Sequence, residues 1–209
     1  MAACRHYARA KWKCKGIREH SKLVRRFIPW HIRARFEHIK WEQINVCKHG
    51  NANANHQRNN FVRPEIKGMF YADRVETDWP FRVLLPVGTH VPFHCTASGK
   101  TYLASLPAAK RRNMLAGLDL HQYTETTHTS AATLEQELKQ VARDGYALDR
   151  EEFHEGMVAI AVPVLDSRRR YVAALATHGP KQRFNVEDAM TRRSLLVESA
   201  KIITETFGY

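Results

Sequence analysis

Several features that would place the chain in a familiar class are absent from its 209 residues. No apolar run approaches the roughly 18 residues that a membrane-spanning helix needs. The N-terminal stretch MAACRHYARAKWKCKG lacks the apolar core of a secretory signal. The four cysteines lie far apart without a C-x-x-C pair, which argues against a disulfide framework or a zinc ribbon. These absences predict a cytoplasmic protein with no membrane association.

The sequence also lacks a glycine-rich phosphate loop, although residues 98–101 read SGKT. A P-loop has the form G-x-x-x-x-G-K-[ST], because glycines let consecutive backbone N–H groups wrap the phosphates. With Gly99 as the second glycine, the first would fall at position 94, which is His94. The sequence therefore predicts no nucleotide site and no cofactor, and the role of SGKT has to be a different one.

Acidic residues are scarce in the first third of the chain. Residues 1–68 hold sixteen lysines and arginines against four acidic residues, whereas the remainder holds seventeen of each. All of the net charge of +12 therefore lies in the first third. Such an asymmetry is typical of an interaction arm for a polyanion, although a basic tail without a specific partner has the same composition.

The chain divides into regions of different amino-acid composition. Residues 1–48 carry apolar residues at helical spacing among many basic ones, which predicts one or two basic amphipathic helices interrupted at Pro29. Residues 49–60, HGNANANHQRNN, have the composition of a linker. From residue 61 onward the sequence is that of an ordinary globular domain.

The globular part alternates strands and helices without a regular βαβ repeat, which predicts an α+β fold. Strands are predicted at 69–75 and 81–87, a short one at YALD, and an antiparallel hairpin from MVAIAVPVLD and YVAALATHGP that is buried on both faces. Helix starts are predicted at Thr96 or Ser98, at Pro107, at Ser130 and at Asn185, the last helix running to Thr206.

From residue 71 the sequence resembles the effector-binding domain of the isocitrate-lyase-regulator (IclR) family of bacterial transcription factors. The segments that carry the resemblance occur in the family's order and spacing: YADRVETDWPFR, LPVGTHVPFHCTASGK, DLHQYTETTHTS, LEQELKQVARDGYALDREEFHEGMVAIAVPV and AALATHGPKQRF. The resemblance implies a GAF-like antiparallel or mixed sheet with flanking helices, a pocket for a small-molecule effector, and homodimers or homotetramers. It places the effector domain at residues 66–209, after a basic, partly helical segment and linker at 1–65.

The resemblance also implies an answer for SGKT. In the family, TASGK starts a helix at the mouth of the pocket, where free N–H groups and partial positive charge suit a carboxylate. The implied ligand-binding residues are therefore Ala97 and Ser98 at the helix start, together with Asp149, Met157, Ala159, Ala176 and His178. A capped helix in which Gly99 permits close packing is the plainer alternative, as is a hydrogen-bonding role for Asp149 or His178.

At two of these positions the chain departs from the family pattern for small acids, in which polar or thiol side chains stand where this chain has Ala159 and Ala176. Two alanines predict a roomier and more apolar pocket, suited to an aromatic or branched acid instead of glyoxylate. His178 would supply a hydrogen-bond donor or a cation, depending on pH.

The first third matches no winged helix-turn-helix of the family. It is open whether this segment is a divergent DNA arm, a replacement, or a stretch translated from another reading frame; the last option would leave the first strand or two of the sheet missing. If the arm binds DNA, Arg25, Arg26, Arg33 and Arg35 are the candidate contacts. The alternative is a stand-alone metabolite-binding module.

A cysteine-dependent hydrolase and a metal site are weaker interpretations. Cys95 with His94, His178 and Asp149 has the residue types of a cysteine nucleophile and its partners, but no motif places a histidine against the sulfur. The acidic residues at 149–155 with His154, and the pair His90 and His94, follow no metal-ligand spacing. We expect no enzyme and no metal site.

Overall fold

The computed structural model describes residues 58–75 and 86–206 of the chain. Within these ranges lie six strands, which are β1 Arg58–Glu65, β2 Gly68–Val75, β3 His90–Val91, β4 Ala147–Arg150, β5 Met157–Leu165 and β6 Tyr171–Pro180. Five helices accompany them, which are α1 Ala97–Ser105, α2 Ala108–Gly117, α3 Ala131–Asp144, α4 Val186–Thr191 and α5 Arg193–Thr206. The strands form one sheet in the order β3-β2-β1-β6-β5-β4, with every neighbouring pair antiparallel. The predicted α+β class with an antiparallel sheet is confirmed.

Strand β1 lies in the middle of the sheet and pairs with both β2 and β6. Its first residue, Arg58, falls inside the predicted linker and before the boundary that we placed at residue 66. Phe61 and Val62 are fully buried in it. The run RNNFVRPE hides this role, because two apolar residues among asparagines and arginines show no strand alternation. The described sheet therefore contains a strand before β2, within the stretch that the sequence assigns to the linker.

The helix starts predicted from sequence are confirmed. The hydroxyl of Thr96 accepts a hydrogen bond from the N–H of Gly99 at 3.1 Å and so caps α1. Ser130 caps α3, and Gly145 ends that helix in the left-handed conformation, φ 75°. Such caps satisfy backbone groups that the first and last helical turns leave without partners.

The C-terminal segment differs from its prediction, because a break at Arg192 divides the expected single helix into α4 and α5. Asn185 and Asp188 form the reciprocal capping box that starts α4. Of the strand predicted at 81–87, residues 81–85 lie outside the described ranges, and Val87 lies in a turn. The helices predicted within 1–48 also lie outside those ranges.

Both faces of the β5–β6 hairpin are covered. Consecutive residues of a strand point to opposite faces, and Ile160, Ala161 and Val162 are all buried. Helix α1 packs against β5 and β6 through Ala97, while α5 packs against the same strands with Leu196 and Ile203 buried. This confirms the predicted hairpin. In the described part of the chain, none of the helices has the length and hydropathy needed to cross a bilayer.

Candidate functional site

The predicted ligand residues of the sheet come together on one face. In the strand register Asp149 of β4 pairs with Ala159 of β5, and Ala159 pairs with His178 of β6. Directly paired residues of antiparallel strands point to the same face, so these three side chains form a row across three strands. Ala176 lies in the next row and Met157 in the row on the other side. Their role as ligand contacts stays a prediction.

The start of α1 lies over this face. Ala97 packs against Ala161, Ala174 and Ala176, with Ala159 alongside, and Ser98 is buried. Within the described ranges, Thr96 accepts from the N–H groups of Gly99 and Lys100, and those of Ala97 and Ser98 meet no protein acceptor. Two backbone donors at the positive end of a helix therefore lie next to a floor of alanines.

Asp149 is the acidic member of the row and is only 7% exposed. One of its carboxylate oxygens accepts a hydrogen bond from the N–H of Glu152 at 2.8 Å. Burial, reinforced by the negative charge of Glu152, raises the pKa of Asp149 to about 7, although Lys100 opposes the shift. Near neutral pH this carboxyl group is therefore divided between its protonated and ionised forms.

His178 is held by a residue that sequence analysis missed. The side-chain amide nitrogen of Asn60, in β1, lies 3.0 Å from Nδ1 of His178, and both residues are buried. Because an amide nitrogen only donates, Nδ1 accepts, and the ring proton of neutral His178 belongs on Nε2. No local signal marks this role, because Asn60 lies in a stretch of linker composition and its partner is 118 residues away.

A buried ion cluster lies beside the site. The ammonium group of Lys100 is completely buried and lies 2.5 and 2.7 Å from the two carboxylate oxygens of Glu152 and 2.8 Å from Glu137. Burial alone would lower the pKa of Lys100, but the charges of Glu152 and Glu137 outweigh it and keep the group protonated. The lysine of SGKT is thus an internal counter-ion and does not point toward a phosphate.

The same cluster contains the side chains in the described ranges that could be taken for metal ligands. Donor atoms of His128, Glu137 and Glu152 lie within 4.8 Å of one another. The ammonium group of Lys100 is bonded to both glutamates, however, so a protein cation already occupies the position of a metal ion. We assign no metal to it. The acidic turn at 149–155 gains no ligand from His154, which is exposed.

Cys95 has the wrong environment for a nucleophile. Its side chain is fully buried, and burial together with the charge of Asp149 raises the pKa of the thiol far above neutrality. His94 is also buried, which lowers its pKa, and its Nε2 lies 2.9 Å from the carbonyl oxygen of His121. The geometry gives no support to the hydrolase interpretation.

Comparison with known proteins decides the family. The model of the bacterial transcriptional regulator IclR C-terminal domain matches residues 54–205. The chain belongs to the IclR family. A probable transcriptional regulator, SauR, of Cupriavidus necator is 43% identical over 120 residues, which are 57% of this chain and 48% of that protein. The transcriptional repressor IclR of Escherichia coli is 29% identical over 136 residues, 65% of this chain and 50% of the repressor.

Among solved structures, IclR of Thermotoga maritima superimposes with a TM-score of 0.76 at 27% identity, covering 93% of this chain and 74% of that one. The expected family and its ligand-binding domain fold are therefore confirmed. The IclR relatives are transcriptional regulators and not enzymes, as expected. The chain spans about half the length of the curated relatives it matches. Arg25, Arg26, Arg33 and Arg35 lie outside the described residues.

Proposed function

We propose that this IclR-family domain senses a small organic acid, which binds between the start of α1 and the β5–β6 hairpin. The observation that carries the proposal is the pair of N–H donors at Ala97 and Ser98, which lies over the same sheet face as Asp149 and His178. A carboxylate at the helix start would accept from the two N–H groups and benefit from the helix dipole.

The alanine floor supports an aromatic or branched acid over a very small polar one. Ala159, Ala161, Ala174 and Ala176 offer no polar side-chain atom to the ligand. An acid with an apolar body gains from contact with the half-buried Ala159 at the edge of this floor, whereas glyoxylate has no apolar body to place there. Met157 and Ala159 are the less buried members of the site, which supports entry of the ligand from their side.

Effector binding would shift the arrangement of subunits in a homodimer or homotetramer and change the affinity for DNA in the cytoplasm. Such coupling between sites amounts to about 1–3 kcal/mol in typical cases. The basic N-terminal segment, with Arg25, Arg26, Arg33 and Arg35, is the candidate DNA contact because nearly all of the positive excess of the chain lies in it. If this segment does not recognise a specific DNA sequence, the protein is a metabolite-binding module without specific DNA binding.

Calorimetric titration of the full chain with benzoate, 3-methyl-2-oxobutanoate and pyruvate at pH 6 tests the effector, with benzamide as the uncharged control. We expect the two larger acids to bind more tightly than pyruvate, and benzamide not to bind. Absence of binding by every acid would refute the sensor function.

The alanine floor predicts a change of preference in the variant Ala176→Ser. A hydroxyl group on the floor favours a small polar acid and disfavours an apolar ring, so the ratio of benzoate to pyruvate affinity should fall about tenfold. Ala142→Ser, at an exposed position of α3, is the matched control and should leave the ratio unchanged. An unaltered ratio in Ala176→Ser would place the ligand elsewhere.

Fluorescence anisotropy tests the DNA half of the proposal. The full chain is titrated against DNA from upstream of its own gene and against a scrambled sequence, at two salt concentrations and with or without the acid. We expect preference for the native sequence and a change in affinity with the acid. Equal binding to both DNAs with a steep loss at higher salt would mean that the arm is only a polycation.

A further inference from the structure

The charges around the proposed site do not balance. Three buried or half-buried carboxyl groups, those of Asp149, Glu152 and Glu137, surround a single buried cation, Lys100. Glu152 has both of its oxygens on that cation. Glu137 has Lys100, a hydrogen bond with Nε2 of His128, and the exposed Arg150, whose guanidinium lies 3.7 Å away. Asp149 has no cation bonded to it within the described ranges, only backbone N–H groups.

An anionic effector would add one more negative charge next to the least compensated of these carboxyl groups. Asp149 and the start of α1 share Ala159 as a neighbour, since Asp149 pairs with it in the register and Ala97 packs near it. Two uncompensated negative charges close together in a buried site are costly, and proteins avoid this by protonating one of them.

We propose that Asp149 takes up one proton from solvent when the acid effector binds, so that the effector anion and the proton enter the buried site together. The inference rests on the proposed function and specifies its regulation. Once protonated, the Asp149 hydroxyl can donate a hydrogen bond to the effector carboxylate, while the backbone N–H of Glu152 still binds the other oxygen. The interaction of Asp149 with the effector carboxylate thereby changes from charge repulsion to a hydrogen bond.

The groups that face Asp149 come from several elements. Glu152 lies on the turn after β4 and Lys100 on α1, while the buried and neutral Tyr71 and Cys95 come from β2 and from the segment before α1. On β5 the neighbour is Ala159, which does not titrate. Beyond it lies His178. Burial also raises the pKa of Glu152, so this neighbouring carboxyl group is the alternative site for the proton. The raised pKa of Asp149, about 7, agrees with its poor compensation.

The test is calorimetric titration of the full chain with benzoate between pH 6 and pH 9, repeated in HEPES and Tris, which differ in enthalpy of ionisation. The dependence of the observed enthalpy on the buffer gives the number of protons taken up. We expect uptake close to one proton at pH 8, little at pH 6, and an affinity that falls by up to tenfold per pH unit above pH 7.

Asp149→Asn keeps the shape and one acceptor oxygen, and it should bind benzoate without proton uptake and with an affinity that does not change between pH 6 and pH 9. Asp119→Asn, at an exposed position, is the control that should retain the uptake of the parent protein. Uptake that persists in Asp149→Asn would place the proton on another group such as Glu152, and would overturn the assignment.

Two failures are distinguishable. If benzoate and 3-methyl-2-oxobutanoate bind with equal affinity at pH 6 and pH 9, without buffer dependence, the proton linkage is wrong and the sensor function stands. If neither acid binds at pH 6, where Asp149 carries its proton, the sensor function is wrong and the linkage falls with it.

Discussion

At the scale of single residues, the site of this IclR-family domain depends on how each buried polar group is compensated. Asp149 and Lys100 are both buried, yet one has only backbone donors and the other three short contacts to carboxylate oxygens. Burial penalises a charge unless a partner offsets the lost hydration. The two residues therefore respond to substitution and to pH in different ways.

Without any ligand, Asp149 should make stability depend on pH. Its pKa is raised to about 7 in the folded chain, so the folded state holds a proton that the unfolded state has lost. The stability from this group is complete below pH 4 and is lost as pH rises to 7, by at most about 1.4 kcal/mol per unit. Asp149→Asn should flatten urea unfolding free energies measured between pH 5 and pH 8, relative to the parent. An unchanged slope would contradict the raised pKa.

Removing the buried cation should lower the stability of the fold severely. Lys100→Met leaves Glu152 and Glu137 without their shared counter-ion, and breaking a buried ion pair in this way costs about 3–5 kcal/mol. Adding Glu152→Gln to Lys100→Met should recover part of the loss in chemical denaturation. Lys201→Met removes the charge of a side chain that is 77% exposed and should change stability little. Equal effects at positions 100 and 201 would argue against a buried cluster.

At the scale of elements, the position of α1 over the sheet depends on one glycine. A Cβ atom added to Gly99 would lie 2.2 Å from the carbonyl oxygen of Phe93, which belongs to the backbone and cannot turn aside. Gly99→Ala should therefore displace the start of α1, lower stability by about 1–3 kcal/mol and weaken effector binding. Gly117→Ala, with no atoms within 4 Å of the added carbon, is the control for thermal unfolding and calorimetry. Equal melting temperatures in the two variants would exclude this close contact.

Elements with strong local signals could be predicted from the sequence, and those determined by distant pairing could not. The caps at Thr96 and Ser130 and the β5–β6 hairpin follow from side-chain chemistry and apolar runs within a few residues. Strand β1 depends on partners in β6 more than a hundred residues away, and its own residues lack the apolar alternation of a strand.

The candidate site shows the same division. The positions of Ala97, Asp149, Ala159 and His178 followed from the family resemblance, and the register brings them to one face. Asn60 beside His178 and the burial of Lys100 could not be predicted, because both depend on which distant groups compensate a polar side chain. The residues next to a polar side chain in sequence do not show which distant groups will offset its burial.

At the scale of the whole molecule, the boundary of the folding unit becomes testable. A fragment of residues 66–209 lacks β1, which would separate β2 from β6 and remove the buried Phe61 and Val62. A fragment of residues 54–209 begins where the family match begins and retains the strand. We expect the longer fragment to unfold cooperatively in circular dichroism and the shorter one not to. Cooperative unfolding of both would mean that the central strand is dispensable.

The central position of β1 has a consequence for the order of events during synthesis. Asn60 leaves the ribosome long before its partner His178, 118 residues later, so β1 must wait with only β2 and the two-residue strand β3 beside it. Two-stranded hairpins are marginal in water, and closing so long a loop comes late and slowly. The nascent chain therefore leaves one edge of β1 unpaired until β6 emerges, and such an open sheet edge is prone to aggregation.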